Sequence, residues 1–266
     1  MIKPMLAYEY YKHKDKVVYP CYVQPKIDGI RCIAEVIDGQ VSLYTRTGKL
    51  ITSLPHINKA LSKVKNCTLD GELYTYSFDF ETLSGLVRRK VADHNAVYIK
   101  FLVFDCIGLD ISFIGRTAYL VDKLRTSKYI QLINTFICRD EMHVFFRHDL
   151  FKEEGYEGTM IRNTNSLYKH GRSFDLLKLK DMQDAEYQIA NVIEGKGKYK
   201  GCAIFVCLTS EGKTFKVKAK GTFEKQRAYL LDINNLIGKM ITVQFQELTK
   251  FNIPRFPIGL RIRGEE

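Results

Sequence analysis

Lys26 stands between a predicted strand over residues 21–24 and an Asp-Gly turn at residues 28–29, with Arg31 five residues further on. The Asp-Gly pair favours a tight reversal of the chain, and Pro25 biases the preceding residue toward extended backbone. An amine attacks an electrophile only after its ammonium has lost a proton, and neighbouring cations favour that loss. We therefore predict that Lys26 is a covalent nucleophile toward a nucleotide phosphate. The alternative is a solvated lysine in an ordinary hairpin.

Two downstream clusters offer side chains that would serve such a reaction. Arg46 lies in a Thr-Arg-Thr-Gly turn at a predicted strand end, where a guanidinium suits a phosphate. Glu72 closes an Asp-Gly-Glu triplet, and the glycine before it lets a ligand approach the backbone. Glu72 is therefore a candidate to accept hydrogen bonds from ribose hydroxyls. Taken alone, each side chain is also consistent with a solvated strand end.

An acidic residue, a pair of lysines and an aromatic residue extend this set. Glu157 precedes a glycine and a predicted strand, and a hard carboxylate there suits Mg²⁺ held against a phosphate. Lys178 and Lys180 alternate with leucines, and this period of two predicts both ammonium groups on one face of a strand. Like charges on one face repel, so the pair indicates either a phosphate site or an exposed face. Phe104 is a candidate either for stacking on a purine or for the core.

Composition limits the partners and the compartment. The chain has 266 residues, of which 45% are hydrophobic and 27% charged, with a formal net charge of +11 and a pI near 9.2. Such a balance indicates a polyanionic partner, with nucleic acid preferred to an anionic membrane. No apolar run approaches the roughly 18 residues of a membrane span, and the N-terminus lacks the apolar core of a secretion signal. Seven cysteines without a Cys-x-x-Cys pair favour reduced thiols in an intracellular, cytoplasmic protein.

Hydrophobic periodicity predicts an α+β protein in two domains. Strands are predicted over residues 30–37, 40–45, 68–75, 98–106, 143–146, 158–162 and 175–180. Helices are predicted over residues 54–64 with Ser53 as the N-cap, over 79–89 and 116–134, and in a short segment ending near 155. Strands at 185–194, 203–209, 214–219 and 240–247 with one helix at 223–234 suit a small barrel of the oligonucleotide-binding type. The predicted domains are residues 1–183 and 184–266.

A Gly/Lys-rich loop over residues 195–201 carries Lys196, Lys198 and Lys200. It lacks the Gly-Lys-Ser/Thr ending and the following helix of a P-loop. We predict instead a flexible basic loop that contacts a nucleic-acid backbone.

Together these clusters resemble the covalent nucleotidyltransferase superfamily, and most closely the small, two-domain ATP-dependent DNA ligases. Residues 26–31 match that family's Lys-x-Asp-Gly-x-Arg nucleophile motif. The later motifs follow in the family's order: residues 45–48, 70–72, 101–105, 157–158 and 178–180, and an Arg-Phe-Pro segment with the final motif over 254–263. The resemblance implies a nucleotidyltransferase domain of antiparallel sheets flanked by helices, followed by an OB-fold barrel.

The resemblance also implies a reaction in three steps. Lys26 attacks the α-phosphate of ATP to form lysyl-AMP and releases pyrophosphate. The AMP then moves to a 5′-phosphate at a nick in duplex DNA, and the adjacent 3′-hydroxyl displaces AMP to seal the backbone. Such an enzyme serves DNA repair, replication and recombination, needs Mg²⁺, and is expected to act as a monomer.

Roles for the nucleotide and metal contacts follow from the same resemblance. Glu72 would hold the ribose, Phe104 would stack on adenine, and Gln24 occupies a position that contacts adenine in relatives. Glu157 would bind Mg²⁺, with Glu72 as a second ligand, and Asp28 would assist the catalysis.

The resemblance assigns the cations to phosphates. Lys178 and Lys180 would neutralise the α-phosphate, and Arg31 and Arg46 would hold the phosphates of the nucleotide and of the nick. A lysine with a pKa of ~10.4 is neutral in only about four parts in ten thousand at pH 7. Neighbouring cations lower the cost of removing that proton, and they also stabilise charge that builds on the phosphate.

Departures from the family pattern leave alternatives open. The family's last motif usually ends Arg-x-Asp-Lys, whereas Arg263 is followed by Gly-Glu-Glu. The first step is therefore expected to be altered or to rely on Arg261 and Arg263. Arg162 stands where relatives often carry lysine. An RNA ligase or GTP-using capping guanylyltransferase is the nearest alternative, and a non-catalytic basic oligonucleotide-binding protein is another.

Overall fold

The computed structural model describes residues 2–249 and 251–264. Within these residues the chain divides into two compact units, the first ending at Leu179 and the second beginning at Lys180. The boundary predicted at residue 183 falls four residues after the end of the first unit, at the first residue of the strand that opens the second. No helix among the described residues is long and apolar enough to cross a membrane.

The first unit alternates strands and helices along the chain. Its strands are β1 (Met5–Glu9), β2 (Cys21–Lys26), β3 (Ile30–Ile37), β4 (Gln40–Thr45), β5 (Leu50–Ile51), β6 (Cys67–Tyr74), β7 (Lys100–Ile107), β8 (Ile130–Leu132), β9 (Phe136–Cys138), β10 (Gly158–Asn163) and β11 (Gly171–Leu179). Its α-helices are α1 (Tyr10–His13), α2 (Pro55–Leu61), α3 (Phe80–Val87), α4 (Phe113–Lys123) and α5 (Glu141–Glu153).

These strands form a larger and a smaller sheet. Among the described residues the larger sheet has the order β5-β4-β3-β6-β7-β8, and the smaller has the order β1-β11-β10-β2-β9. Neighbouring strands run antiparallel except for the edge pairs β1–β11 and β7–β8, which are parallel. The predicted α+β architecture of antiparallel sheets flanked by helices is confirmed, with these two parallel pairs added.

Side chains alternate between the two faces of each strand, so one face of the larger sheet packs in the core and the other carries candidate site residues. In β3, Cys32, Ala34 and Val36 are buried against one face of the larger sheet, where Ile57 and Leu61 of α2 pack. Residues between them in β3 point to the opposite face. That opposite face therefore carries Arg31 and its register partner on β6.

The smaller sheet is divided in the same way. Val23, Ile161 and Leu177 lie on neighbouring strands and form one core with Val144 and Phe151 of α5. Because register partners share a face, the other face carries a second row of side chains from the same strands. That row includes Lys26.

The register of the smaller sheet places predicted site residues side by side. Lys26 at the end of β2 pairs with Gly158 at the start of β10. Gln24 pairs with Met160, and Met160 pairs in turn with Lys178 on β11. Residues distant in sequence are thus brought onto one sheet face.

The segment predicted as a strand over residues 143–146 is helical, so that prediction is wrong. It lies inside α5, which begins after Asp140, whose side chain accepts a hydrogen bond from the amide of His143 at 2.8 Å. The aromatic run favoured a strand, but Val144, His148 and Phe151 recur at helical spacing and are buried on one side.

The helix predicted over residues 116–134 is also wrong in extent. Helix α4 ends at Lys123, and β8 and β9 follow it. Strand β8 pairs in parallel with β7, a partner far away in sequence that no local pattern reveals. Ser53, the predicted cap of α2, is instead buried and donates to the carbonyl of Val87 at 2.9 Å.

The second unit is a small barrel with two helices. Its elements are β12 (Gln183–Glu194), β13 (Ala203–Leu208), β14 (Thr214–Ala219), α6 (Phe223–Leu231), α7 (Ile233–Leu236), β15 (Met240–Phe245) and β16 (Ile258–Ile262). Within the described residues the strands close in the order β12-β13-β14-β16-β15. Ile189, Phe205, Val217 and Val243 fill the interior. The predicted OB-type barrel is confirmed, and β16 is a strand that the sequence did not predict.

The basic loop after β12 is closed by hydrogen bonds. The carboxylate of Glu194 accepts from the amide of Gly201 at 2.7 Å, and the amide of Gly195 donates to the carbonyl of Cys202 at 2.9 Å. A 3₁₀ turn over Gly197–Tyr199 lies between these bonds. The backbone of the loop is therefore shaped by its own contacts.

Candidate active site

Lys26 and Glu157 form an ion pair between the ends of two neighbouring strands. Lys26 Nζ donates to Glu157 Oε2, and the amide of Glu157 donates to the carbonyl of Lys26 at 2.9 Å. The side chain of Lys26 is 21% exposed and that of Glu157 is 4% exposed. The pairing of Lys26 with Gly158 explains this contact, because it places the preceding glutamate beside the lysine.

A small apolar cluster lies around this pair. Ile27, Leu102 and Ile133 are buried together, and Phe104 and Tyr156 pack against them while remaining partly exposed. Ile27 follows Lys26 directly, and Tyr156 directly precedes Glu157. The chain neighbours of both charged residues therefore belong to one apolar cluster, in which Phe104 and Tyr156 are partly exposed aromatic rings.

Glu72 faces the same region from the larger sheet. It is the register partner of Arg31, and burial raises the pKa of its carboxyl to about 7, although the charges of Arg31 and Lys26 act in the opposite direction. Gly29 lies against it so closely that a Cβ at this position would be 2.7 Å from Glu72 Cγ. The turn that follows Lys26 is thus packed on Glu72, and Asp28 lies in that turn, partly exposed.

Arg31 is held by a buried carboxylate. Its Nε and Nη2 donate to Asp70 Oδ1 and Oδ2 at 2.5 and 2.6 Å, and Nη2 also donates to the carbonyl of Met5 at 3.1 Å. The guanidinium carbon lies 4.7 Å from the ring centroid of Phe104. Arg31 therefore has a structural partner that the sequence did not predict, in addition to its proposed phosphate role.

The side chain of Gln24 is committed to neighbours within the protein. Its Nε2 donates to the carbonyl of Phe104 at 3.1 Å and to Thr135 Oγ1 at 2.9 Å, while its Oε1 accepts from Arg162 Nε at 2.9 Å. The amide of Gln24 therefore supports Phe104, and the contact of Gln24 with adenine stays a prediction.

Arg162 belongs to a buried charge network. Its Nη1 donates to Asp105 Oδ2 at 2.8 Å, and Arg116 Nε donates to Asp105 Oδ1 at 2.7 Å. All three side chains are at most 4% exposed. The arginine that stands in place of the family's lysine thus fixes the segment behind Phe104.

The prediction that Lys178 and Lys180 share one strand face is wrong, because β11 ends at Leu179. Lys178 lies on the sheet face that carries Lys26, in the row with Gln24. Lys180 belongs to the second unit, where its Nζ donates to Gln246 Oε1 at 2.8 Å and lies 5.7 Å from the ring centroid of Phe256.

The remaining predicted cations are on the surface of their own units. Arg46 is exposed on a tight turn in which the amide of Gly48 donates to the carbonyl of Thr45 at 2.8 Å. In the barrel, a charged side chain of the final motif, Arg263, pairs with Glu186 at 3.3 Å. The exposed lysines of the basic loop are Lys196, Lys198 and Lys200.

The carboxylates predicted to hold a divalent ion are those of Glu72 and Glu157. Glu72 and Glu157 interact electrostatically, since the charge of Glu157 helps to raise the pKa of Glu72. Among the described residues no group of three or more His, Cys, Asp or Glu side chains could hold a metal by itself. One or two carboxylates completed by substrate phosphates are the usual protein ligands of Mg²⁺, so the donor set fits that ion.

Several contributors were not predicted from the sequence. Thr135 and Tyr168 support Gln24 and Asp70, yet they lie in segments without motif character. Asp70 lies within a motif, but its residue type and position alone predict no role for it. The partners of these side chains are far away in sequence, so only the folded structure reveals them.

A lysine at a strand end, paired with a buried glutamate and followed in the chain by a closed barrel, is the arrangement expected of a covalent nucleotidyltransferase. The family model of the ATP-dependent DNA ligase domain matches residues 4–180, and that of a DNA ligase OB-like domain matches residues 194–263. The chain belongs to the ATP-dependent DNA ligase family. Membership implies the use of ATP and, in general, of a divalent metal ion.

Individual relatives agree with this assignment. A DNA ligase of African swine fever virus is 31% identical over 91% of this chain and 62% of its own length. A DNA ligase of Haemophilus influenzae is 26% identical over 87% of this chain and 82% of its own. A solved Lig E DNA ligase aligns over 99% of this chain and 100% of its own, with 26% identity and a TM-score of 0.84.

The chain spans less than two thirds of the length of that viral relative. The matches favour the DNA ligase interpretation over the RNA-directed and GTP-using alternatives, because the family models and the relatives above are all DNA ligases.

Proposed function

We propose that this chain is an ATP-dependent DNA ligase that carries AMP on Lys26 and seals nicks in duplex DNA. The observation that supports this most directly is the setting of Lys26. Lys26 lies at the end of β2, and its side chain is largely buried and hydrogen-bonded to Glu157. It shares a sheet face with Lys178.

In the first step Lys26 Nζ attacks the α-phosphorus of ATP. The bond between Nζ and phosphorus forms while the bond from that phosphorus to the bridging oxygen breaks, and pyrophosphate leaves. Nζ loses two of its three ammonium protons, one along the existing hydrogen bond to Glu157 before the attack and one to solvent as the bond to phosphorus forms, so the phosphoramidate nitrogen keeps one. Lys178 stabilises negative charge on the phosphate as it develops.

The adenosine is received by the groups around this pair. Phe104 offers a ring for stacking beside the apolar cluster of Ile27, Leu102 and Ile133. Glu72, in its ionised form, accepts from the ribose hydroxyls. Gln24 contributes indirectly, because its amide holds the carbonyl of Phe104.

The residues proposed to hold Mg²⁺ are Glu157 and Glu72. When bound, the ion supplies positive charge that polarises the phosphate and favours the loss of pyrophosphate. Asp28 is proposed to assist from the neighbouring turn, and Lys180 to act on the α-phosphate with Lys178.

In the later steps AMP passes to the 5′-phosphate of the nick, and the 3′-hydroxyl displaces it as the new phosphodiester bond forms. Arg31 and Arg46 are proposed to hold the nick phosphate, and the exposed loop lysines 196, 198 and 200 to contact the backbone. The active species is proposed to be a monomer.

Joining of a singly nicked duplex by wild type and by Lys26→Ala tests the proposal. Wild type is expected to join the nick only with ATP and a divalent ion, and Lys26→Ala is expected to join none. Lys63→Ala, at an exposed position outside the site, serves as the matched control and should behave as wild type. No joining by wild type, or equal joining by Lys26→Ala, would contradict the proposal.

A non-catalytic binding protein is the alternative that the Gly-Glu-Glu after Arg263 favours, because the family pattern differs there. A nick that already carries AMP on its 5′-phosphate separates the two, since sealing it needs no ATP. A pure binding protein seals none, whereas a ligase impaired only in its first step seals it.

A further inference from the structure

Tyr168 lies between β10 and β11 and belongs to none of the motif clusters. Its hydroxyl donates to Asp70 Oδ2 at 2.5 Å and accepts from the amide of Met5 at 2.9 Å. Burial and the charge of Asp70 raise the pKa of this phenol, so its proton stays on the oxygen and is available for donation. One hydroxyl thus joins the segment after β10, strand β6 and the start of β1.

The contacts continue from Asp70 to Arg31 and return to Met5. Both oxygens of the fully buried Asp70 accept from the fork of Arg31, which is the bidentate geometry of a strong carboxylate pair. Arg31 Nη2 also donates to the carbonyl of Met5. Tyr168, Asp70, Arg31 and Met5 therefore form a closed ring of hydrogen bonds, which we call the Tyr168 ring.

The Tyr168 ring holds Arg31 beside two groups of the proposed nucleotide site. The guanidinium carbon is 4.7 Å from the ring centroid of Phe104, and Glu72 is the register partner of Arg31 on β6. Among the described residues, the hydrogen bonds of Arg31 use Nε and Nη2. The two N–H groups of Nη1 are left for an anion.

We propose that Tyr168 is a positioning residue of the nucleotide site, which acts through Asp70 to hold Arg31 against Phe104 and beside Glu72. The inference rests on the proposed function, because it takes Phe104 and Glu72 to contact adenosine. Loss of the hydroxyl leaves Asp70 and Met5 each with one hydrogen bond fewer, so Arg31 can adopt more rotamers. The side chain must then be ordered when ATP binds, and this entropy cost weakens ATP binding.

Tyr168→Phe removes the hydroxyl and keeps the ring. The test measures the rate of lysyl-AMP formation without DNA across a range of ATP concentrations. The half-saturating ATP concentration is expected to rise about three- to tenfold, the net scale of one ordinary hydrogen bond, while the maximal rate changes less than about twofold.

Tyr10→Phe is the matched control, because it also removes a buried tyrosine hydroxyl bonded to a carboxylate. Tyr10 donates to Glu141 Oε1 at 2.6 Å and is 1% exposed. It is expected to lower the melting temperature as Tyr168→Phe does but to leave the half-saturating ATP concentration unchanged. Asp70→Asn, a second change in the Tyr168 ring, is expected to raise that concentration.

A double-mutant cycle with Arg31→Ala tests whether Tyr168 acts through Arg31. Tyr168→Phe should add no further loss of ATP affinity in the Arg31→Ala background. An unchanged ATP dependence in Tyr168→Phe, an equal change in Tyr10→Phe, or full additivity with Arg31→Ala would overturn the inference. Absence of lysyl-AMP in wild type would instead overturn the proposed function, so the two failures are distinguishable.

Discussion

Lys26 and Glu157 are joined twice, through an ion pair of their side chains and through a 2.9 Å hydrogen bond from the amide of Glu157 to the carbonyl of Lys26. The second bond extends the pairing of β2 with β10, so the backbone of both strands fixes where the ion pair lies. The proposed nucleophile and the proposed metal ligand are therefore held in contact before any substrate arrives.

Glu157→Gln tests the metal role of this carboxylate. The amide keeps the size of the side chain but removes the charge that a divalent ion needs, so lysyl-AMP formation should require at least about tenfold more Mg²⁺, or ~1.4 kcal/mol of lost binding. The Mg²⁺ concentration that gives half the maximal rate is the measurement. Glu154→Gln, at an exposed position in the same segment, is the control. An equal Mg²⁺ requirement in both variants would show that Glu157 does not bind the ion.

Lys178→Ala tests the electrostatic role of the lysine that shares a sheet face with Lys26. Because its charge matters most as the phosphate becomes more negative, the maximal rate of lysyl-AMP formation should fall roughly 100-fold. The half-saturating ATP concentration should change much less. Single-turnover kinetics at several ATP concentrations provide both values, with Lys63→Ala as the control. Unchanged lysyl-AMP formation in Lys178→Ala would refute the assignment.

Glu72 predicts a pH dependence of stability. Burial raises the pKa of this carboxyl from 4.5 to about 7, so the native state holds this proton in a range where the unfolded chain has lost it. The contribution of Glu72 to stability is therefore present at low pH and is lost as the pH rises through about 7. Without nucleotide, Glu72→Gln should gain stability relative to wild type between pH 5 and pH 8.

Urea unfolding of wild type and Glu72→Gln at those two pH values measures this difference. Glu154→Gln, which changes an exposed glutamate, should follow wild type at both. If the difference in the free energy of unfolding between Glu72→Gln and wild type is the same at both pH values, the native carboxyl does not titrate in this range.

The loop lysines of the barrel predict a salt dependence. Replacing all three with alanine should weaken binding to a nicked duplex. The negative slope of log affinity against log salt should become less steep, by up to about 0.9 for each phosphate that is no longer neutralised. Lysyl-AMP formation without DNA should not change. The control replaces three exposed lysines of the first unit, Lys59, Lys63 and Lys65. A loop variant with the wild-type slope would show that these lysines do not bind the DNA backbone.

Asp105→Asn tests the buried network behind Phe104. Two buried guanidinium groups, those of Arg116 and Arg162, would lose their shared countercharge, and the free energy of unfolding should fall by about 3–5 kcal/mol. Urea unfolding provides the value. Asp93→Asn, which removes an ion pair whose guanidinium partner, Arg89, is 57% exposed, should have a far smaller effect. Equal effects of the two changes would mean that the network contributes little.

The sequence predicted correctly those strands and helices that are specified by residues close together in the chain. The hairpin of β3 and β4 has the predicted bounds, because alternation and an Asp-Gly turn specify both strands and their register. Strands β8 and β16 were missed, because each is short and depends on partners outside its own segment: β8 pairs in parallel with β7, and β16 pairs with both β14 and β15. In α5, an aromatic run outweighed the helical spacing of its buried residues.

The same holds for the candidate site: local motifs were predictable, and contacts between distant residues were not. The motif order indicated the chemistry of Lys26, but the partners of Gln24 and Arg31 were not predictable from any local pattern. Gln24 bonds to Arg162 across 138 positions of the chain, and Tyr168 bonds to Asp70 across 98. Lys180 departs from the expected strand face because β11 ends one residue earlier, and element ends are poorly specified by periodicity.

Intact-mass measurement after incubation with ATP and Mg²⁺, followed by mapping of the modified peptide, tests the covalent chemistry most directly. The protein is expected to gain the mass of one adenylate, located on Lys26, and to lose it when pyrophosphate is added. An unmodified protein, or an adenylate located on a different side chain, would contradict this account.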